Sequence, residues 1–262
     1  MVMNEEYYVQ DVIAAMEKIA PTDLACEWDH VGLMVGDPGA KVEGVLLALD
    51  ANAAAIDRAM EVGANLIITH HPLLFDPLHQ VDYTTPRGGN IRKIIRNDIQ
   101  VFSAHTNLDK APKGVNYALA TVLGLVMQIN LVGVEIGLCG SVGQESMTLF
   151  GFADLVKARL GASGLILNTD KDREVSRVFV QGGAFDEESI PVLKLYRVDV
   201  VVTGEMKHHH MLELEDAGIA VIVAGHEATE RIVLGSLEEE LLNKLPNLPT
   251  TIYLGHNWCE NR

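Results

Sequence analysis

Two histidines in succession, His70 and His71, close the apolar run 64–69 and lead straight into Pro72. Adjacent side chains at a strand end point opposite ways, so the pair suits two neighbouring metal ions better than one; a solvated turn is the other reading. Asp109 lies five residues beyond a second apolar run, 100–104. A carboxylate there can ligate a cation or cap the following helix. His226 and Glu230 stand four apart where a helical pattern begins, a spacing that puts imidazole and carboxylate on one face. They fit a shared metal or a surface pair. Jointly, three strand ends deliver three imidazoles and two carboxylates. Five N/O donors exceed one tetrahedral site and suffice for two metals bridged by a carboxylate. Without a thiolate, the set suits Zn, Mn, Fe or Co.

Other candidates surround these five. His105 reads as a hydrogen-bond partner of a ligand, a proton shuttle, or an ordinary turn histidine. Glu205, His208 and His209 follow Thr203-Gly204 at a strand end and could line a cleft, or simply belong to an exposed helix start. Trp28 and Asp29 precede a glycine-containing turn and read as architectural. Gly137, Gly140 and Gly143 form a glycine-rich turn whose GxxGxxG spacing is not a dinucleotide fingerprint.

The elements that must position these groups alternate strand and helix. A helix is expected over 6–19, strands over 45–49, 64–69 and 100–104, and helices over 53–62 and 91–96. The second half repeats the grammar: strands 147–150, 178–180, 198–202, 219–224 and 250–254, helices 153–160, 187–195, 208–216 and 228–245. Apolar strands alternating with helices predict two similar three-layer α/β/α domains with largely parallel sheets. His105 and Asp109 then correspond to His226 and Glu230, the same His-x3-acid after an equivalent strand, which favours an internal duplication. The expected division is 1–128, carrying His70, His71 and Asp109, and 129–262, carrying His226 and Glu230, with the metal site in the cleft between them.

Composition bounds the partners. In 262 residues, 20 Lys plus Arg face 36 Asp plus Glu, a net charge of −16. Such a chain repels phosphate backbones, and with 5% aromatics it has few base-stacking platforms, which argues against nucleic acid as its main ligand. A metal-bridged phosphate ligand stays compatible. No uncharged apolar run reaches the ~18 residues of a membrane span. Glu5 and Glu6 stand where a signal peptide would be basic. Cys26, Cys139 and Cys259 have no CxxC spacing and read as free thiols. The expected location is the cytoplasm.

THHP at 69–72, HTNLD at 105–109, TGEMKHH at 203–209 and GHEATE at 225–230 resemble the GTP cyclohydrolase I type 2 homologue family, also described as dinuclear metal centre hexameric proteins. The resemblance runs from WDHVGLMVGD at 28–37 to GHEATE. It implies two α/β domains, a toroidal homohexamer, and two divalent cations per subunit held by His70, His71, Asp109, His226 and Glu230. Glu230 is the favoured bridge and, with His105, the expected catalytic pair. Two departures stand out: there is no inserted middle domain, and the glycine-rich turn lacks the arginine that many members carry. The activity implied is hydrolysis, by name attack on the guanine ring of GTP. A phosphoesterase or nucleotidase, and a metal-binding scaffold without turnover, are the rival readings; the ligand in the first two is a nucleotide or another phosphate-containing small molecule.

Overall fold

The computed structural model describes residues 6–143 and 147–255, and Cys259 lies outside them. In chain order the first elements are α1 (Val9–Ile19), β1 (Gly32–Val35), β2 (Val45–Ala48), α2 (Ala53–Val62), β3 (Leu66–Thr69), α3 (Pro86–Arg96) and β4 (Gln100–Ser103). Then come α4 (Thr106–Lys110), α5 (Val115–Val122), β5 (Val126–Ile129), β6 (Leu138–Ser141), β7 (Met147–Thr148), α6 (Leu149–Leu160), β8 (Ile166–Leu167) and β9 (Glu174–Val175). The last are β10 (Arg177–Ala184), α7 (Ile190–Leu195), β11 (Val200–Glu205), α8 (His208–Asp216), β12 (Ala220–Val223), α9 (His226–Glu230), α10 (Val233–Lys244) and β13 (Thr250–Ile252). No helix among the described residues is long and apolar enough to cross a membrane.

The chain divides into two units. The first runs to Ala111 and takes back the segment from Leu234; the second is Pro112–Val233. The division thus falls at 111/112 rather than 128/129, and the first unit is discontinuous, because β13 pairs with β2 in the first sheet.

The first unit holds a five-stranded sheet, ordered β1-β4-β3-β2-β13, in which only β1 is antiparallel. Every residue of β2, β3 and β4 is buried, so both faces of these strands are covered. On one face Leu46, Ala48, Ile67 and Val101 pack with Ala55, Ile56 and Ala59 of α2 and Ile94 of α3. Helix α3 starts five residues before its apolar pattern. Pro86 occupies its first turn, and the Thr85 hydroxyl accepts from the Gly88 N–H.

The second unit holds a six-stranded sheet, β5-β6-β10-β11-β12-β8. Here only β10, β11 and β12 run parallel, and β5, β6 and β8 are antiparallel, so the parallel character covers the centre alone. Only eight residues, 130–137, join β5 to β6. A parallel crossover needs about a dozen. Alternate residues fill the two faces. Val178, Val180, Val200, Val202 and Ile222 meet Phe152 and Val156 of α6, while Phe179, Val201 and Val221 meet Ile190 and Leu193 of α7 and Leu214 of α8. This is the expected three-layer α/β/α order.

The halves share a pattern in agreement with duplication: three parallel strands (β2-β3-β4, β10-β11-β12), an antiparallel edge strand beside the third, and a five-residue helix after it. Local differences have local causes. The strand expected at 147–150 ends at Thr148, whose hydroxyl caps α6 through the Gly151 N–H. The helix expected over 187–195 begins as a 3-10 turn at Glu187–Ser189, and that expected over 228–245 is two helices, α9 and α10. The glycine-rich segment forms β6 rather than a turn. Gly137 has φ +126°, and a Cβ on it would lie 2.2 Å from Phe179 Cζ, so this glycine makes room for sheet packing.

Candidate metal centre

The first unit gathers its ligand-type side chains at the C-terminal ends of its parallel strands. Strand β3 ends at Thr69, whose hydroxyl meets Ser103 Oγ on β4 at 2.9 Å and donates to the His71 carbonyl at 2.8 Å. That ties down the turn carrying the histidine pair. His70 is 1% exposed, and its Nδ1 donates to the Ala104 carbonyl at 3.0 Å. A carbonyl only accepts, so the proton sits on Nδ1, and Nε2 is the nitrogen that could ligate a metal. That Nε2 faces Asp109 Oδ1 at 3.6 Å. His71 repeats the arrangement, with Nδ1 on the Asp50 carboxylate at 2.9 Å. Asp109 lies within α4, whose N-cap residue is His105, so the capping role open to it from sequence is not the one it has.

His105 packs against both histidines, with ring centroids 5.3 Å from His70 and 6.0 Å from His71. Its Nδ1 meets Asp29 Oδ1 at 3.1 Å, while Asp29 Oδ2 accepts from the Thr106 N–H at 3.0 Å and the Thr106 hydroxyl at 2.5 Å. Burial pushes the Asp29 carboxyl up, but the hydrogen bonds from His105 and Thr106 outweigh it and hold the pKa down at about 2. Asp29 is therefore ionised near neutrality and fixes the His105 tautomer. Its architectural role is to orient a histidine beside the candidate ligands.

The second unit presents His226 and Glu230 from α9. The four-residue spacing brings His226 Nε2 to 3.1 Å from Glu230 Oε1, and Glu230 is 4% exposed. His226 Nδ1 sits 2.9 Å from Glu205 Oε1, at the end of β11. All three histidines thus anchor Nδ1 on an oxygen acceptor, the pattern that imidazole ligands of metals show. Nε2 of His70 and of His226 each faces a carboxylate oxygen, an arrangement that a cation stabilises. The donor set fits divalent metal.

Glycines shape the second cluster. Gly183 has φ +66°, and a Cβ there would lie 2.1 Å from Glu230 Oε1 and 3.2 Å from His226 Nε2. A Cβ on Gly204 would lie 2.7 Å from His226 Cα and from Thr229 Oγ1. Backbone alone fits against this pair. Sequence reasoning missed Gly183 and Asp50; the signals were a Gly-Gly pair inside a strand and a carboxylate just past β2. His208 and His209 are exposed, and His210 is half-buried with Nε2 3.8 Å from Glu187 Oε1. His209 has its ring against His210 instead.

A family profile described as Duf34/NIF3 (NGG1p interacting factor 3) matches residues 7–255. A Clostridium acetobutylicum protein named GTP cyclohydrolase 1 type 2 homolog is 35% identical over 261 residues, 95% of this chain and 96% of its own. A Clostridium perfringens protein of the same name is 33% identical, covering 90% of this chain and 92% of its own. Among solved structures, a Bacillus cereus protein related to NIF3 superposes with TM-score 0.91 at 24% identity over 97% of this chain and 98% of its own, a likeness of fold.

Proposed function

The chain belongs to the Duf34/NIF3 family, and on that premise we propose that it is a metal-dependent hydrolase acting on a nucleotide or related phosphate-containing small molecule. The observation that supports the reading is the common anchoring of His70, His71 and His226 through Nδ1, which suits their Nε2 atoms to ligation. We assign these three, with Asp109 and Glu230, to two divalent cations per chain. In this reading Glu230 would be the carboxylate shared by the two ions.

A pair of divalent ions makes bound water acidic and offsets charge developing on substrate oxygens. The chain supplies the rest. Asp50, Glu205 and the Ala104 carbonyl hold the three imidazoles in one tautomer and orientation. Gly183 and Gly204 let backbone close against Glu230 and His226. His105, oriented by Asp29, is available to hydrogen-bond the reacting part of the substrate. The relatives' printed name supports GTP as the first substrate to try. The same reading has the chain assembling as a toroidal homohexamer in the cytoplasm. Sedimentation at a monomer mass of about 29 kDa at micromolar concentration would count against that assembly.

The test is metal content beside turnover. The purified protein should hold close to two divalent ions per chain and convert at least one substrate in a panel of GTP, other nucleotides and phosphodiesters. Glu230→Gln keeps shape but removes charge, and should lose at least one ion and all turnover, whereas the exposed His209→Ala variant should keep its metal. Zero stoichiometry that Zn, Mn, Fe and Co cannot restore would overturn the metal assignment. A loaded protein inert to the whole panel would overturn the hydrolase and leave a metal-binding scaffold.

A further inference from the structure

His105 is one of three rings that meet in the first unit. Its centroid lies 6.0 Å from Trp28 and 6.2 Å from Phe75, and Trp28 and Phe75 are 5.9 Å apart. The planes cross at 73°, 75° and 53°, so no two rings stack face to face. The two contacts with His105 are edge-to-face and the Trp28–Phe75 pair is tilted. Trp28 is 56% exposed and Phe75 53%. Large aromatics left half in water are a cost that a ligand relieves, and a free aromatic face takes another ring in offset stacking at centroid distances of about 4.5–7 Å. The third ring is the one that packs on His70 and His71, held by a buried carboxylate whose side chain is 1% exposed. A wet aromatic corner is thereby joined to a rigid polar group beside the candidate ligands.

We propose that Trp28 and Phe75 form a stacking subsite for a planar heteroaromatic ring, with His105 as its polar neighbour, so that the substrate is a ring-bearing molecule and not a simple phosphate ester. The inference rests on the reading of the His70–His71 face as the reacting site, and names what that site accepts. The geometry favours a flat plate over a protein partner: three rings crossed at steep angles leave separate faces, not one continuous apolar surface. It also qualifies the low aromatic content of the chain. Two well-placed rings suffice for one base.

Intrinsic fluorescence tests this without turnover. The chain has two tryptophans, Trp28 and Trp258, so a Trp258→Phe background isolates Trp28. Titrating that protein with guanosine and adenosine monophosphates should quench Trp28 saturably, with metal present or after chelation, and ribose 5-phosphate should not. Phe75→Ala should weaken nucleotide binding about ten-fold, the usual effect of removing one aromatic from a base stack. Phe75→Tyr should restore it, and both variants should melt with the parent. Equal quenching by ribose 5-phosphate, no quenching by either nucleotide, or indifference to Phe75→Ala would overturn the subsite. A blue shift of Trp28 on raising protein concentration, with no ligand, would give the corner to a second copy and also overturn it. Failure of the hydrolase reading looks different: metal content of zero or absent turnover, with ring binding intact in the chelated protein.

Discussion

Gly183→Ala separates a purely geometric demand at the candidate centre from general destabilisation. At φ +66° an L side chain incurs left-handed strain of about 1–2 kcal/mol. The new Cβ would also stand 2.1 Å from Glu230 Oε1, where ordinary contact begins near 3.4 Å. The carboxylate must then retreat by about 1 Å, whereas metal–ligand distances tolerate roughly 0.2 Å. The strain alone lowers the melting temperature by roughly 3–10 °C for a unit of this size. Gly63→Ala is the matched control. Its φ is +73°, it ends α2, and nothing lies within 4 Å of the new Cβ. Both variants should melt lower, Gly183→Ala by more because of the added contact, and only Gly183→Ala should lose metal, read as ions per chain by elemental analysis after gel filtration. Full metal in Gly183→Ala, or equal metal loss in Gly63→Ala, would refute the reasoning.

Asp29→Asn tests the buried hydrogen-bonded carboxylate. Its pKa is lowered from 3.8 to about 2 on folding, so its contribution is present above pH ~4 and lost as the pH falls from there toward 2. The variant should be about 2 kcal/mol less stable in urea at pH 7, and the gap should narrow from pH ~4 and close only as the pH falls below about 2; a gap independent of pH would contradict the assignment. Glu205→Gln replaces a carboxylate that is 62% exposed and meets the far nitrogen of His226. Metal affinity by competition with a chelator should fall about ten-fold, the low end for such partners, without loss of fold; unchanged affinity would remove Glu205 from the support of His226. Phe152→Ala, at 1% exposure in the core against β10 and β11, should cost about 3–5 kcal/mol in chemical denaturation. A loss below 1 kcal/mol would mean that this face is not the packed layer described.

The five candidate ligands could be picked from the linear sequence because each depends on local grammar. An apolar run sets a strand, its end sets a turn, and a spacing of four sets one helical face. His226 and Glu230 therefore meet as expected, and His70 and His71 follow β3. The helices 53–62 and 208–216 were legible for the same reason: period and end signals lie within one stretch of chain. What tertiary structure alone decided involves residues far apart in sequence. Asp29 and His105 are 76 positions apart, and no spacing rule connects them. The mixed second sheet depends on which edges pair, and the return of β13 to β2 closes a loop of more than two hundred residues. The Gly182-Gly183 pair marks an irregular strand, but the importance of Gly183 comes from a carboxylate that another segment brings against its missing side chain. Local periodicity is written in neighbouring residues, whereas pairing, tautomer and clearance arise only when distant segments are packed together.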